Sequence, residues 1–195
     1  MLDIQVLDPA HYQRIPWKNG AGVLVDIVRE GGGWDGRDGP PLAWHYGRTQ
    51  IVSNGPFSDL TGYERLQVVI AGRGLVLVTP TGEIDLRHAF RPVRYDGGTP
   101  ITTRLESGAV EVANLIADRR RFTIDLRVGT AGDTLECAPG DHIVHAAAEA
   151  AAIDLAGHAV SLSPDHAVRW RGPTGAALHV RSGRVVMASV YATTR

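Results

Sequence analysis

Short β-branched runs recur along the whole chain, each cut off by glycine or proline, and this punctuation limits the fold more than any other feature. Residues 22–28 (Gly-Val-Leu-Val-Asp-Ile-Val), 66–70 (Leu-Gln-Val-Val-Ile), 74–78, 122–128 and 184–190 are examples. Runs of this length between turn residues predict many short strands, and strands at regular spacing predict an all-β sandwich or barrel. Gly72-Arg73-Gly74 reads as a hairpin turn, with glycine supplying the positive φ such turns need. Pro80-Thr81-Gly82 separates 75–78 from 84–86 in the same way. One segment competes. The alanine content of Asp141–Ala156 favours a helix, whereas Ile143-Val144 and Ile153–Leu155 suit two strands around a loop.

The chain of 195 residues fits one domain or two small fused halves. The second half faintly echoes the first, with runs at 122–128, 135–141, 159–162, 176–180 and 185–190. The expected division is therefore 1–121, carrying the candidate pocket, and 122–195, a degenerate copy. A long loop, Gly31–Pro41, interrupts the first half and contains Trp34.

A formal charge of −1 argues against a nucleic-acid partner, because such proteins need surplus Lys and Arg to neutralise phosphates. Arg119-Arg120-Arg121 is a run of only three and leads into a strand-like alternation. The single cysteine, Cys137, excludes an intrachain disulfide and a cysteine-based zinc site. The N-terminal residues carry acids among apolar ones, unlike a secretory leader, and no apolar stretch is long enough to span a bilayer. The expected setting is cytoplasmic, with no membrane partner.

Two segments concentrate chemistry. Arg14-Ile-Pro-Trp-Lys-Asn-Gly-Ala-Gly22 joins cations, an aromatic, an amide and glycines that let backbone N–H groups approach a ligand. It also reads as a tight turn into the first strand, with Trp17 anchoring the core. In Asn54–Arg65, Pro56 and Gly62 shape a loop that Phe57 and Tyr63 pack. Alternation lets only one of Glu64 and Arg65 face a barrel interior. A buried guanidinium there would demand an anionic partner, from protein or ligand, whereas a surface pair would not.

These residues carry a resemblance. Pro16-Trp-Lys-Asn-Gly20 with Gly22, then Trp44, Gly55-Pro-Phe-Ser58, Gly62-Tyr-Glu-Arg65, Gly72-Arg-Gly74, and Asn114 with Asp118-Arg119-Arg120 resemble the HutD/Ves family in order and spacing, over about residues 10 to 128. The resemblance implies a double-cupin fold of two jelly-roll halves, a link to bacterial histidine utilisation, and a pocket for a small metabolite with no established catalysis. Carried over by position, the pocket would use Trp17, Lys18, Asn19, Arg65 and Asn114. The family's Trp-Arg pair is Trp44-His45 here, so His45 would stand for the cation and Asp26 for an acid. Ala21 replaces a family glycine.

The leading reading is a non-catalytic binding protein for a small carboxylate. Lys18 and Arg65 would neutralise the carboxylate, Asn19 would hydrogen-bond it and Trp17 would wall the site. Formylglutamate, formiminoglutamate and urocanate are the ligands that the resemblance suggests. No cofactor or metal is expected, and a homodimer is compatible with the fold. The rival is a metal-dependent cupin enzyme, an isomerase or oxygenase, using His142, His145 and a further histidine. Residues three apart fall on opposite faces of a regular strand, so His142 and His145 would need a bulge to converge.

Overall fold

The computed structural model describes residues 3–16, 22–33 and 40–193. Eighteen strands lie among them. In chain order they are β1 (Asp3–Leu7), β2 (Gln13–Pro16), β3 (Val23–Gly31), β4 (Leu42–Ile51), β5 (Tyr63–Ala71), β6 (Leu75–Thr79), β7 (Gly82–Leu86), β8 (Val93–Asp96) and β9 (Thr102–Leu105). Then follow β10 (Val110–Asp118), β11 (Phe122–Thr130), β12 (Thr134–Cys137), β13 (Gly140–His145), β14 (Ala151–Leu155), β15 (His158–Leu162), β16 (Ala167–Gly172), β17 (Ala176–Ser182) and β18 (Arg184–Ala192). A single 3-10 turn, Pro9–His11, accounts for the helical content of the described residues. The all-β expectation holds.

The segment 141–156 is strand, not helix. Ile143 and Val144 are fully buried in β13, and in β14 residues Ala151, Ile153 and Leu155 alternate inward. Burial of branched side chains at a period of two outweighs the helical preference of alanine, a fraction of a kcal/mol per residue. Turn chemistry was read correctly at Gly72, whose φ of +80° L side chains rarely adopt. A Cβ there would also sit 2.6 Å from the Ala109 carbonyl oxygen.

The chain forms two compact units, Gln13–Phe122 and Met1–Tyr12 with Thr123–Arg195. In the second of these, β1 pairs with β16, so the first strand of the chain belongs with the C-terminal strands. Its five-stranded sheet runs β1-β16-β13-β18-β11 and its four-stranded sheet β12-β17-β14-β15. Trp170, Val144, Met187, Leu155 and Leu178 pack between them.

The unit Gln13–Phe122 has a six-stranded sheet, β2-β3-β4-β10-β5-β8, and a three-stranded sheet, β7-β6-β9. Their core joins Ile51, Val69, Val110 and Val112 of the larger sheet to Leu75, Leu77 and Leu86 of the smaller one. Two antiparallel sheets closed on a common core in each unit make this a double cupin. The central strands β4, β5 and β10 are buried on both faces. Polar residues inside those strands are therefore conspicuous.

Candidate functional site

The polar residues inside the central strands gather on one face. Directly paired residues in antiparallel strands share a face. One row reads Arg29–His45–Ile116–Arg65–Tyr95 across β3, β4, β10, β5 and β8. The next reads Asp26–Gly47–Asn114–Gln67–Val93. A third, Leu24–Thr49–Val112–Val69, continues into the apolar core against β6 and β7. The site is thus a polar layer on the inner face of the six-stranded sheet, above an apolar floor.

Strand alternation resolves the Glu64–Arg65 question. Arg65 is only 8% exposed, while Glu64 pairs with Arg94 at the edge. The Arg65 guanidinium carbon lies 4.8 Å from the Phe57 ring centroid and 5.2 Å from that of Tyr95. Two aromatic faces can stabilise a cation by roughly 1–2 kcal/mol each when desolvated, which falls short of the several kcal/mol that burying a charge costs. Among the described residues no carboxylate pairs with Arg65, and its Nε has no hydrogen-bond partner.

His45 is fully buried, and its Nε2 lies 2.5 Å from Oδ1 of Asp26. The other Asp26 oxygen receives Nε of Arg29 at 2.7 Å. Burial pushes the Asp26 carboxyl up, but contacts with His45 and Arg29 outweigh this and hold it below the usual carboxylate range. Burial pushes His45 below its ordinary value, and the charges of Arg29 and Arg65 act in the same direction, against Asp26. The resting state is therefore an ionised Asp26, a neutral His45 in contact with it, and two arginines. Among the described residues, one negative and two positive charges leave the layer with a surplus cation, Arg65.

Gly47 makes this arrangement fit. A Cβ at that position would lie 2.7 Å from Nε2 of His45 and would press on the Val25 carbonyl oxygen. The His45 ring occupies the space that a side chain at 47 would take.

Of the residues expected from sequence, Arg65, Asn114 and His45 share this face; Trp17, Lys18 and Asn19 lie outside the described residues. The strand ends flanking those three, Pro16 and Val23, are directly paired. Sequence reasoning missed Gln67 and Tyr95. The Tyr95 hydroxyl donates to Oε1 of Gln67 at 2.9 Å, and Gln67 is only 1% exposed. Gln67 was legible as the one polar residue in the run 66–70, two positions from Arg65 and hence on the same face. The basic segment after Asn114 is elsewhere: Arg119 reaches Asp96 at 2.5 Å on the surface.

The C-terminal histidines do not converge. His142 uses both ring nitrogens within its own unit, Nδ1 at 2.9 Å from Ser189 Oγ and Nε2 at 2.9 Å from the Ala138 carbonyl, and it stacks on Trp170. His145, three residues on in an unbroken strand, points to the opposite face, where Nε2 lies 3.1 Å from Asp165. The convergent ligand set that the metal-enzyme reading requires is not formed among the described residues.

The depressed His45 and His142 values set the direction of a pH effect. An unfolded histidine takes up a proton near its ordinary value of 6.5, whereas these buried ones resist it. The unfolded state then binds more protons, so stability is complete above that value and declines as pH falls below it. Urea unfolding between pH 5 and 8 is expected to show this decline, with His45→Gln and His142→Gln each removing part of the slope. An unchanged slope in both variants would contradict the assignment.

Comparison with known proteins adds to this geometry. A family model described as HutD matches residues 9–188. A Pseudomonas putida protein, called an uncharacterized 21.2 kDa protein in the hutC 3' region, is 28% identical over 160 residues, covering 82% of each chain. A conserved protein of unknown function from Pseudomonas aeruginosa PAO1 superposes with a TM-score of 0.84 at 25% identity, over 98% of this chain and 100% of that one. HutD from Pseudomonas fluorescens SBW25, solved in a formate condition, gives 0.80 at 24% identity over the same shares. Ylba from E. coli shares the fold alone, with a TM-score of 0.66 at 8% identity over 96% of this chain and 90% of that one.

Proposed function

This chain belongs to the HutD family, and on that footing we propose that its N-terminal unit is a non-catalytic binding site for a small carboxylate metabolite, acting as a modulator of histidine utilisation. The observation that carries the reading is Arg65: a guanidinium buried between Phe57 and Tyr95, with no acid beside it among the described residues. A bound carboxylate supplies the missing charge and accepts the N–H groups in a planar fork. Small ligands commonly bind in the mouths of β-barrels, where an apolar floor and a few fixed polar groups give orientation. Asn114 and Gln67 are such groups, and burial keeps His45 neutral beside them against the pull of Asp26. Lys18, Asn19 and Trp17, which follow β2 in the sequence, complete the site in this reading.

A cytoplasmic setting suits the buried free thiol of Cys137, whose pKa burial pushes up to about 11, keeping it protonated and inert. Formylglutamate, formiminoglutamate and urocanate are the carboxylates to test first. A ligand that binds only the folded state raises its melting temperature. Metal-free protein is expected to gain several degrees with one of these acids at a hundred times its Kd. A flat response to every acid, with stabilisation by divalent metal alone, would reject the reading in favour of a metal enzyme.

A further inference from the structure

The inner row of the site holds more hydrogen-bonding capacity than a carboxylate on Arg65 can use. Gln67 and Asn114 face each other across β5 and β10, on the side that bears Arg65. Both are at least nine-tenths buried. Nε2 of Gln67 and Oδ1 of Asn114 have no hydrogen-bond partner among the described residues. Burying an unsatisfied amide group costs about 1–3 kcal/mol, so two of them in one row mark a place prepared for something.

Tyr95 decides which way the Gln67 amide points. Burial raises the Tyr95 pKa, so the phenol keeps its proton. Its O–H donates to Oε1 of Gln67, while the Arg65 guanidinium lies over its ring. With Oε1 used in this way, Nε2 is presented to the interior as a fixed donor. Tyr95 and Gln67 thus form a directed pair that ends on an N–H. Asn114 across the row presents Oδ1, a buried acceptor without a partner among the described residues.

We propose that Gln67 and Asn114 form a second subsite, next to Arg65, that selects carboxylates bearing a neutral group able to accept and donate at once, of the amide kind. This rests on the carboxylate reading of Arg65 and adds a second requirement to it. An amide carbonyl takes the Gln67 N–H, and the amide N–H goes to Asn114 Oδ1. A ligand lacking the donor leaves Asn114 unsatisfied, and one lacking both leaves the whole row unsatisfied. A plain alkyl carboxylate of the same length therefore loses affinity although its charge is unchanged. Gln67 is the specificity-determining residue, and Tyr95 positions it.

Three probes of equal main-chain length separate these terms: N-acetylglycine, 4-oxopentanoate and pentanoate. Titration of the wild-type protein is expected to give affinities in that order, with about tenfold lost at each step. Gln67→Met is expected to lower the N-acetylglycine and 4-oxopentanoate affinities toward that of pentanoate and to leave pentanoate unchanged. If Gln67→Met does not fold, Tyr95→Phe serves instead, because a freed amide can flip and the preference should shrink. Equal binding of all three probes, all weakened by Arg65→Met, would overturn the second subsite and leave the carboxylate reading standing. Binding of none of them at millimolar concentration, or binding indifferent to Arg65→Met, would overturn both.

Discussion

Arg65→Met is expected to weaken carboxylate binding at least a hundredfold while leaving the ligand-free protein as stable as the parent, or more so. Charge-assisted hydrogen bonds contribute about 1.5–3 kcal/mol each, and a guanidinium can present two to one carboxylate. A hundredfold loss corresponds to about 2.7 kcal/mol, the lower end of what losing that fork implies. The stability expectation has the opposite sign, because Arg65 is buried with no acid beside it among the described residues. Methionine fills comparable volume against Phe57 and Tyr95 without carrying a charge to desolvate. An ordinary structural arginine would lose stability on this change and leave ligand affinity untouched. Calorimetric titration together with a thermal melt reads both quantities. Arg65→Lys, which keeps the charge but loses the fork, should fall between the two.

Gly47→Val is expected to cost about 3 kcal/mol of stability and to dislodge His45. The added carbons would press on the Val25 carbonyl, which is strand backbone and cannot turn aside, and on the His45 ring. Overpacking a tight core commonly costs about 1–3 kcal/mol, and a backbone contact on a central strand belongs at the upper end. Once His45 moves, Asp26 loses one of the contacts that hold its pKa down, so the acid limb of the stability profile should change with the melting point. Denaturant unfolding at pH 7 and pH 3 tests both. A fully stable Gly47→Val protein with an unaltered pH profile would mean that the His45–Asp26 contact is not fixed by the space at 47.

The fold was legible because turn glycines and β-branched runs carry most of the information that an all-β chain needs. The one open segment, 141–156, was ambiguous because alanine favours a helix while its neighbours Ile143, Ile153 and Leu155 favour a sheet, and only the packed core decides between them. The inward placement of Arg65 followed from alternation once the pocket was assumed. The same rule applied two residues further would have found Gln67, a lone amide in a run of branched aliphatics. Asp26, His45 and Gly47 are harder to read, since their meeting depends on the pairing of β3 with β4 and on a bulge between Asp26 and Val28. No spacing in the sequence reveals that a glycine at 47 clears room for a histidine two positions earlier.

Arg65, buried with no acid beside it among the described residues, is expected to bind a small carboxylate without help from a metal. The most direct test is calorimetric titration of chelator-treated protein, wild type and Arg65→Met, with formylglutamate, formiminoglutamate and urocanate. The wild type is expected to show a single site per chain for at least one of these acids, and Arg65→Met no measurable binding. Binding that survives in Arg65→Met, or that appears only when a divalent metal is restored, would contradict this.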